Sequence, residues 1–108
     1  MEITINVATE FSKTPGGRKI DEGNFSGEEF RDKILSKKYQ QAKSENKMLR
    51  VVLDGGYGYA PSFLEEAFGG LARLTKDRKM LDIIVIVSDE EPELVNDIHK
   101  YIQDGLEA

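Results

Sequence analysis

The chain has 108 residues, no cysteine, a single histidine and a net charge of −5. That length can bury one core without staples, and the absence of cysteine excludes a disulfide framework and thiolate chemistry. His99 and carboxylates alone make a poor zinc set, and an acidic chain without a long basic stripe is not expected to bind nucleic acid, so no metal, cofactor or nucleic-acid partner is anticipated.

Residues Met1 to Val7 alternate polar and apolar side chains and lack the basic start and long apolar run of a signal peptide. The run Ile83 to Val87 is too short to span a bilayer. A soluble, cytoplasmic protein with no membrane contact is expected. In chain order, Ile3, Ile5 and Val7 mark a strand with one wet face. Thr14-Pro15-Gly16-Gly17 is a turn, and Arg18-Lys19-Ile20 reads as a brief second strand. Ser26-Gly27-Glu28-Glu29 has capping-box spacing. It opens a helix through Phe30, Ile34, Leu35, Tyr39 and Ala42 that ends near Asn46.

Leu49 to Leu53 is the next strand, followed by a glycine-rich loop and a helix starting at Ser62. Ile83 to Val87, apolar on both faces, reads as a central strand covered on both sides. A last helix, from about Pro92 to Leu106, carries its apolar stripe on Leu94, Val95, Ile98, Ile102 and Leu106. Strands separated by helices predict right-handed crossovers and a parallel centre. The expectation is one α/β domain over residues 1–108, with a mixed four-stranded sheet, about three helices and an antiparallel edge at the first strand.

The loop Gly55–Ser62 falls at the carboxyl end of a strand, where open parallel sheets place their binding sites. Gly56-Tyr57-Gly58-Tyr59-Ala60-Pro61 begins like a dinucleotide fingerprint, but Pro61 replaces the third glycine and no Gly-Lys-Ser/Thr follows. An anion site on Gly56 and Gly58 with Arg18 as partner stays open as the small-ligand or nucleotide reading. Ser62 lacks the Gly-x-Ser-x-Gly pattern of a nucleophile elbow, and His99 lies on the last helix. With only Ser62, His99 and scattered carboxylates, the chain does not read as an enzyme.

Ser62-Phe63-Leu64-Glu65 has capping spacing, so Ser62 is expected to cap the helix, with Glu65 closing the box and Glu66 facing solvent. Gly69-Gly70 inside that helix costs roughly 2 kcal/mol relative to alanines. Close approach of another backbone, within the domain or from a partner, is the expected compensation. Tyr57 and Tyr59 either contact a partner or pack down on their own sheet.

Pro15-Gly16-Gly17-Arg18, Ser26-Gly27-Glu28-Glu29-Phe30 and above all Ser62-Phe63-Leu64-Glu65-Glu66-Ala67-Phe68-Gly69-Gly70-Leu71 carry a resemblance. With the strands between them, they resemble the STAS-like family of unknown function, related in topology to the anti-sigma-factor antagonist STAS domains. The resemblance implies a non-enzymatic regulatory module that docks a protein partner, such as a histidine-kinase-like ATPase, through the loop and the helix after it. It places Ser62 at the antagonists' phosphorylation position. Tyr57, Tyr59, Ser62 and Phe63 are the expected docking residues, and a homodimer is a further option.

Overall fold

The computed structural model describes all 108 residues, Met1–Ala108. Three strands, β1 (Glu2–Asn6), β2 (Met48–Val52) and β3 (Ile84–Val87), form a sheet in the order β1-β2-β3. Both pairings are parallel, with Ile5 beside Val51 and Val51 beside Ile86. The expected parallel partnership of the second and third apolar segments is therefore present, but β2 is the centre and β3 is an edge.

Five helices complete the domain. The shortest are α1 (Val7–Glu10) and α4 (Met80–Ile83). Helix α2 runs from Gly27–Phe30 through a π-helical Arg31–Leu35 into Ser36–Ser44, and α3 from Pro61–Leu64 through a π-helical Glu65–Gly69 into Gly70–Thr75. The last, α5, is Glu93–Glu107. Asn46 and Lys76, with φ of 57° and 51°, adopt the left-handed conformation just past the ends of α2 and α3.

Stepping β1 to β2 to β3 in one direction with right-handed crossovers puts α2 and α3 on the same side of the sheet. The burial pattern agrees. Ile5, Leu49, Val51, Ile84 and Ile86 are buried under the helices, while Thr4 and Val85 are exposed on the opposite face. The expectation of a strand covered on both sides is thus corrected: β3 is apolar throughout but covered on one face only.

Two further expectations change. There is no fourth strand and no antiparallel pairing. The segment Arg18–Ile20 leads into a single 3₁₀ turn, Ile20–Glu22, because side chains take its backbone donors. Glu22 accepts from the amides of Arg18 and Lys19, and Glu28 from that of Ile20. Helices number five rather than about three: Asn6 ends β1 and caps α1 by accepting from the Thr9 amide, and the single turn α4 precedes β3.

The core gathers Ile5, Phe30, Leu35, Tyr39, Val51, Phe63, Phe68, Leu71, Ile98 and Ile102 between sheet and helices. Phe30 stacks on Phe63 at 5.8 Å between ring centroids, tying the start of α2 to the start of α3. No helix is long and apolar enough to cross a membrane.

Candidate functional site

The loop between β2 and α3 lies at the carboxyl ends of the parallel strands, and its backbone is pinned from three directions. The Asp54 carboxylate accepts from the amides of Asp89 (3.0 Å) and Glu90 (2.9 Å), while Glu90 Oε1 accepts from the Gly55 amide (2.8 Å). Those bonds stitch the loop to the turn after β3. On the other side, the Tyr57 amide donates to the Lys13 carbonyl at 2.8 Å. From beneath, the Tyr59 hydroxyl donates to the Leu53 carbonyl at 2.8 Å. Gly55 and Gly58, at φ of 93° and 134°, take backbone conformations that side chains resist.

This scaffold separates the residues expected to dock a partner. Tyr57 stands 81% exposed. Tyr59 is half-buried and tilts against Phe63 at 5.9 Å. Burial pushes its hydroxyl up to about 12, helped by the negative charges of Asp54, Glu91 and Glu90. Phe63 is fully buried. Tyr59 and Phe63 therefore support the loop from inside, and only Tyr57 presents a free aromatic surface.

Ser62 is half-buried, but it is not the helix cap. Pro61 occupies the first helical position, where a missing N–H costs nothing. Ala60 stands at the cap without a side-chain bond, and its carbonyl accepts from the amides of Phe63 and Leu64. Ser62 thus sits one residue inside the helix, between a proline without an N–H and the Phe63 and Leu64 amides that donate to Ala60.

A second cluster lies further along α3, and neither glutamate there behaves as expected. Glu66 is 5% exposed and receives the Arg31 guanidinium from α2 at 2.5 Å, Arg18 at 3.3 Å and the Lys19 ammonium at 3.4 Å. Glu65 pairs with Arg73 and with Arg18. Burial alone would raise the Glu66 carboxyl, but hydrogen bonds from Arg31 and Arg18 outweigh it and hold the group below the usual carboxylate range. Arg73 and Arg18 pull Glu65 the same way against a smaller burial effect. Arg18 is therefore bonded to these two carboxylates and makes no hydrogen bond to the loop glycines with which it was grouped as an anion partner.

The glycines around this cluster make room for it. A Cβ on Gly70 would lie 2.6 Å from Arg31 Nη1, and one on Gly27 would lie 2.4 Å from the Phe63 carbonyl oxygen. One on Gly105 would come within 2.5 Å of the Gly69 carbonyl oxygen, so the glycine pair meets the backbone of α5 inside the domain. Gly16 and Gly17 run beside the start of α2, with the Gly16 amide on the Phe25 carbonyl and the Gly27 amide on the Gly17 carbonyl. All three segments that carry the resemblance thus converge where Arg18, Arg31 and Glu66 meet. The joint occurrence of Arg18, Arg31 and a Glu-Glu pair ahead of Gly-Gly was the available sequence signal for it.

His99 is exposed on α5, Asp54 is engaged with the amides of Asp89 and Glu90, and no group of three His, Asp or Glu side chains is placed to hold a metal ion. The shallow surface hollow is lined by Lys19, Ile20, Asp21 and Glu28, none of them in the loop.

Comparison with curated proteins and with solved structures finds no match. The profile of one family covers residues 26–102, from the cap of α2 into α5, and so spans two of the three convergent segments. The chain belongs to the family described as STAS-like domain of unknown function (DUF4325).

Proposed function

We propose that this STAS-like domain is a non-enzymatic regulatory module that docks a protein partner through the Gly55–Ser62 loop and the first turn of α3. The observation that carries the reading is Tyr57, 81% exposed on a loop whose neighbouring amides are fixed by Glu90 and Lys13. A large aromatic side chain on preorganised backbone offers contact area at small entropic cost, which is how binding anchors are built. Membership of the STAS-like family fits a regulatory role, and the resemblance to anti-sigma-factor antagonists implies a histidine-kinase-like ATPase as the partner class. Ser62 suits a switch, since a phosphate there would lie at the positive end of α3 while changing the docking surface.

Two features weigh against an anion or nucleotide at the same loop. The amides of Gly55 and Tyr57 are already committed, and the carboxylates of Asp54 and Glu90 at its base oppose added negative charge. The test is a thermal-shift screen with ATP, ADP, GTP and dinucleotides beside a binding assay of Tyr57→Ala. A flat screen and a weakened partner complex are expected. A clear shift with a nucleotide, abolished by Gly58→Val, would replace docking with ligand binding.

A further inference from the structure

The negative charge of this acidic chain is gathered at one end of the sheet. Asp54 follows β2, Asp89, Glu90 and Glu91 follow β3, and Glu10 ends α1 just past β1. Contacts bring them to the Gly55–Ser62 loop. Glu90 holds the Gly55 amide, Asp54 holds the amides of Asp89 and Glu90, and Ala8 of α1 lies 3.5 Å from where a Gly55 Cβ would stand. These five residues account for the whole net charge of −5, since the rest of the chain has fifteen acidic and fifteen basic residues. Lys13, whose carbonyl accepts from the Tyr57 amide, is the basic residue beside them.

The fold does not neutralise this group. None of the five is in a salt bridge, whereas Glu65, Glu66 and Asp77 each are. Burial, and then the charges of Asp54, Glu91 and Glu90, raise the Tyr59 hydroxyl, so the negative field is felt within the loop itself. Like charges left together repel, and a partner of opposite charge relieves that repulsion and is steered towards it.

Carboxylates alone would attract any cation. Tyr57 narrows the choice, being 81% exposed on a backbone already held in place. A guanidinium stacks flat on a tyrosine ring while its edge donates to carboxylates, whereas an ammonium is a compact, strongly hydrated charge without a flat face. Asp54 and Glu90 are occupied in holding the loop, but the exposed Asp89 and Glu91 side chains make no hydrogen bond and are free to accept one.

We propose that the segment docking on this loop is a basic, arginine-bearing stretch of the partner protein, with one guanidinium stacked on Tyr57 and others paired with Asp89 and Glu91. This rests on the docking role proposed above and names the chemistry of the partner's contact surface.

Proton–nitrogen correlation spectra of the full chain, titrated with blocked tetra-arginine, tetra-lysine and tetra-glutamate peptides, test it. Tetra-arginine should shift the amides of Gly55–Tyr59 and Asp89–Glu91 and bind more tightly than tetra-lysine. Its affinity should fall about tenfold or more between about 50 and 500 mM salt. Tetra-glutamate should leave the spectrum unchanged. Tyr57→Ala and Glu91→Lys, the second of which removes no side-chain hydrogen bond, should each weaken tetra-arginine several-fold. Shifts scattered over the surface, equal binding of the arginine and lysine peptides, or loop shifts that neither substitution reduces overturn the proposal. A protein partner that needs Tyr57 but ignores both salt and Glu91→Lys also overturns it while leaving the docking role in place. A partner indifferent to Tyr57→Ala removes the docking role and the proposal with it.

Discussion

Gly69 of α3 and Gly105 of α5 cross backbone to backbone: a methyl group on Gly105 would sit 2.5 Å from the Gly69 carbonyl oxygen and 2.8 Å from Ala72 Cβ. Alanine at 105 gains helix propensity of about 1 kcal/mol, but overpacking a fixed backbone contact costs about 1–3 kcal/mol. Gly105→Ala should therefore be destabilising in urea unfolding. Gly69→Ala should be milder, because its nearest obstacle, 2.7 Å away, is the movable end of the Glu65 side chain. A neutral Gly105→Ala would mean that the two helices are not in contact there.

The two glutamates of α3 should differ in weight. Glu66 and Arg31 have side chains only 6% and 10% exposed, so Glu66→Ala leaves a buried guanidinium with Asp32 as its one carboxylate partner and should cost about 3 kcal/mol. Glu65 pairs with Arg18 and Arg73, whose side chains are 38% and 37% exposed, and Glu65→Ala should cost about 1 kcal/mol or less. Equal losses in chemical denaturation would contradict this ranking.

Acid should unfold the domain through identifiable carboxylates. Asp77 accepts from Lys43 Nζ at 2.7 Å and from the Tyr39 hydroxyl at 2.6 Å, which lowers its carboxyl to about 2. Glu65 and Glu66 are also lowered, by Arg73 and Arg18 and by Arg31 and Arg18. Each of these groups binds fewer protons folded than unfolded, so its contribution is complete above the unfolded value of about 4 and is lost as pH falls through the folded one. Stability measured against pH should drop between about pH 4 and 2, and Asp77→Asn should flatten that drop. An unchanged profile in Asp77→Asn would contradict the assignment.

Two serines with the same capping spacing should respond oppositely. Ser26, 1% exposed, accepts from the Glu29 amide at 3.0 Å, while Glu29 accepts from the Phe25 amide. Ser26→Ala should cost about 1 kcal/mol. Ser62 caps nothing, so Ser62→Ala should fall within about 0.5 kcal/mol of wild type. A loss at Ser62 as large as that at Ser26 would show that α3 starts two residues later.

That contrast marks how far local pattern reached. The cap at Ser26 and the stripe of α5 were legible because each depends on periodicity or neighbours within a few residues. The parallel pairing of β2 with β3 followed from two apolar segments separated by a helix. Ser62 misled because Pro61 claims the first helical position and moves the cap back to Ala60. Glu66 misled because its partners, Arg31 and Arg18, lie 35 and 48 positions away and reach it only once α2 and α3 pack. Arg18–Ile20 had strand-like composition, but the Glu22 and Glu28 carboxylates took its amides. At the loop, the glycines and tyrosines drew notice by composition alone. Which tyrosine faces outward depends on the Leu53 carbonyl that holds Tyr59.

The docking role rests on Tyr57, and one comparison tests it most directly. Wild type and Tyr57→Ala are used as baits in native cell extract, the retained partner is identified by mass spectrometry, and its affinity for each bait is then measured. With Tyr57 81% exposed and free of core contacts, the substitution should leave the melting temperature unchanged. The partner's affinity should fall by about 2 kcal/mol, as truncated aromatic anchors do. A partner that binds wild type and Tyr57→Ala equally well would contradict docking through this loop.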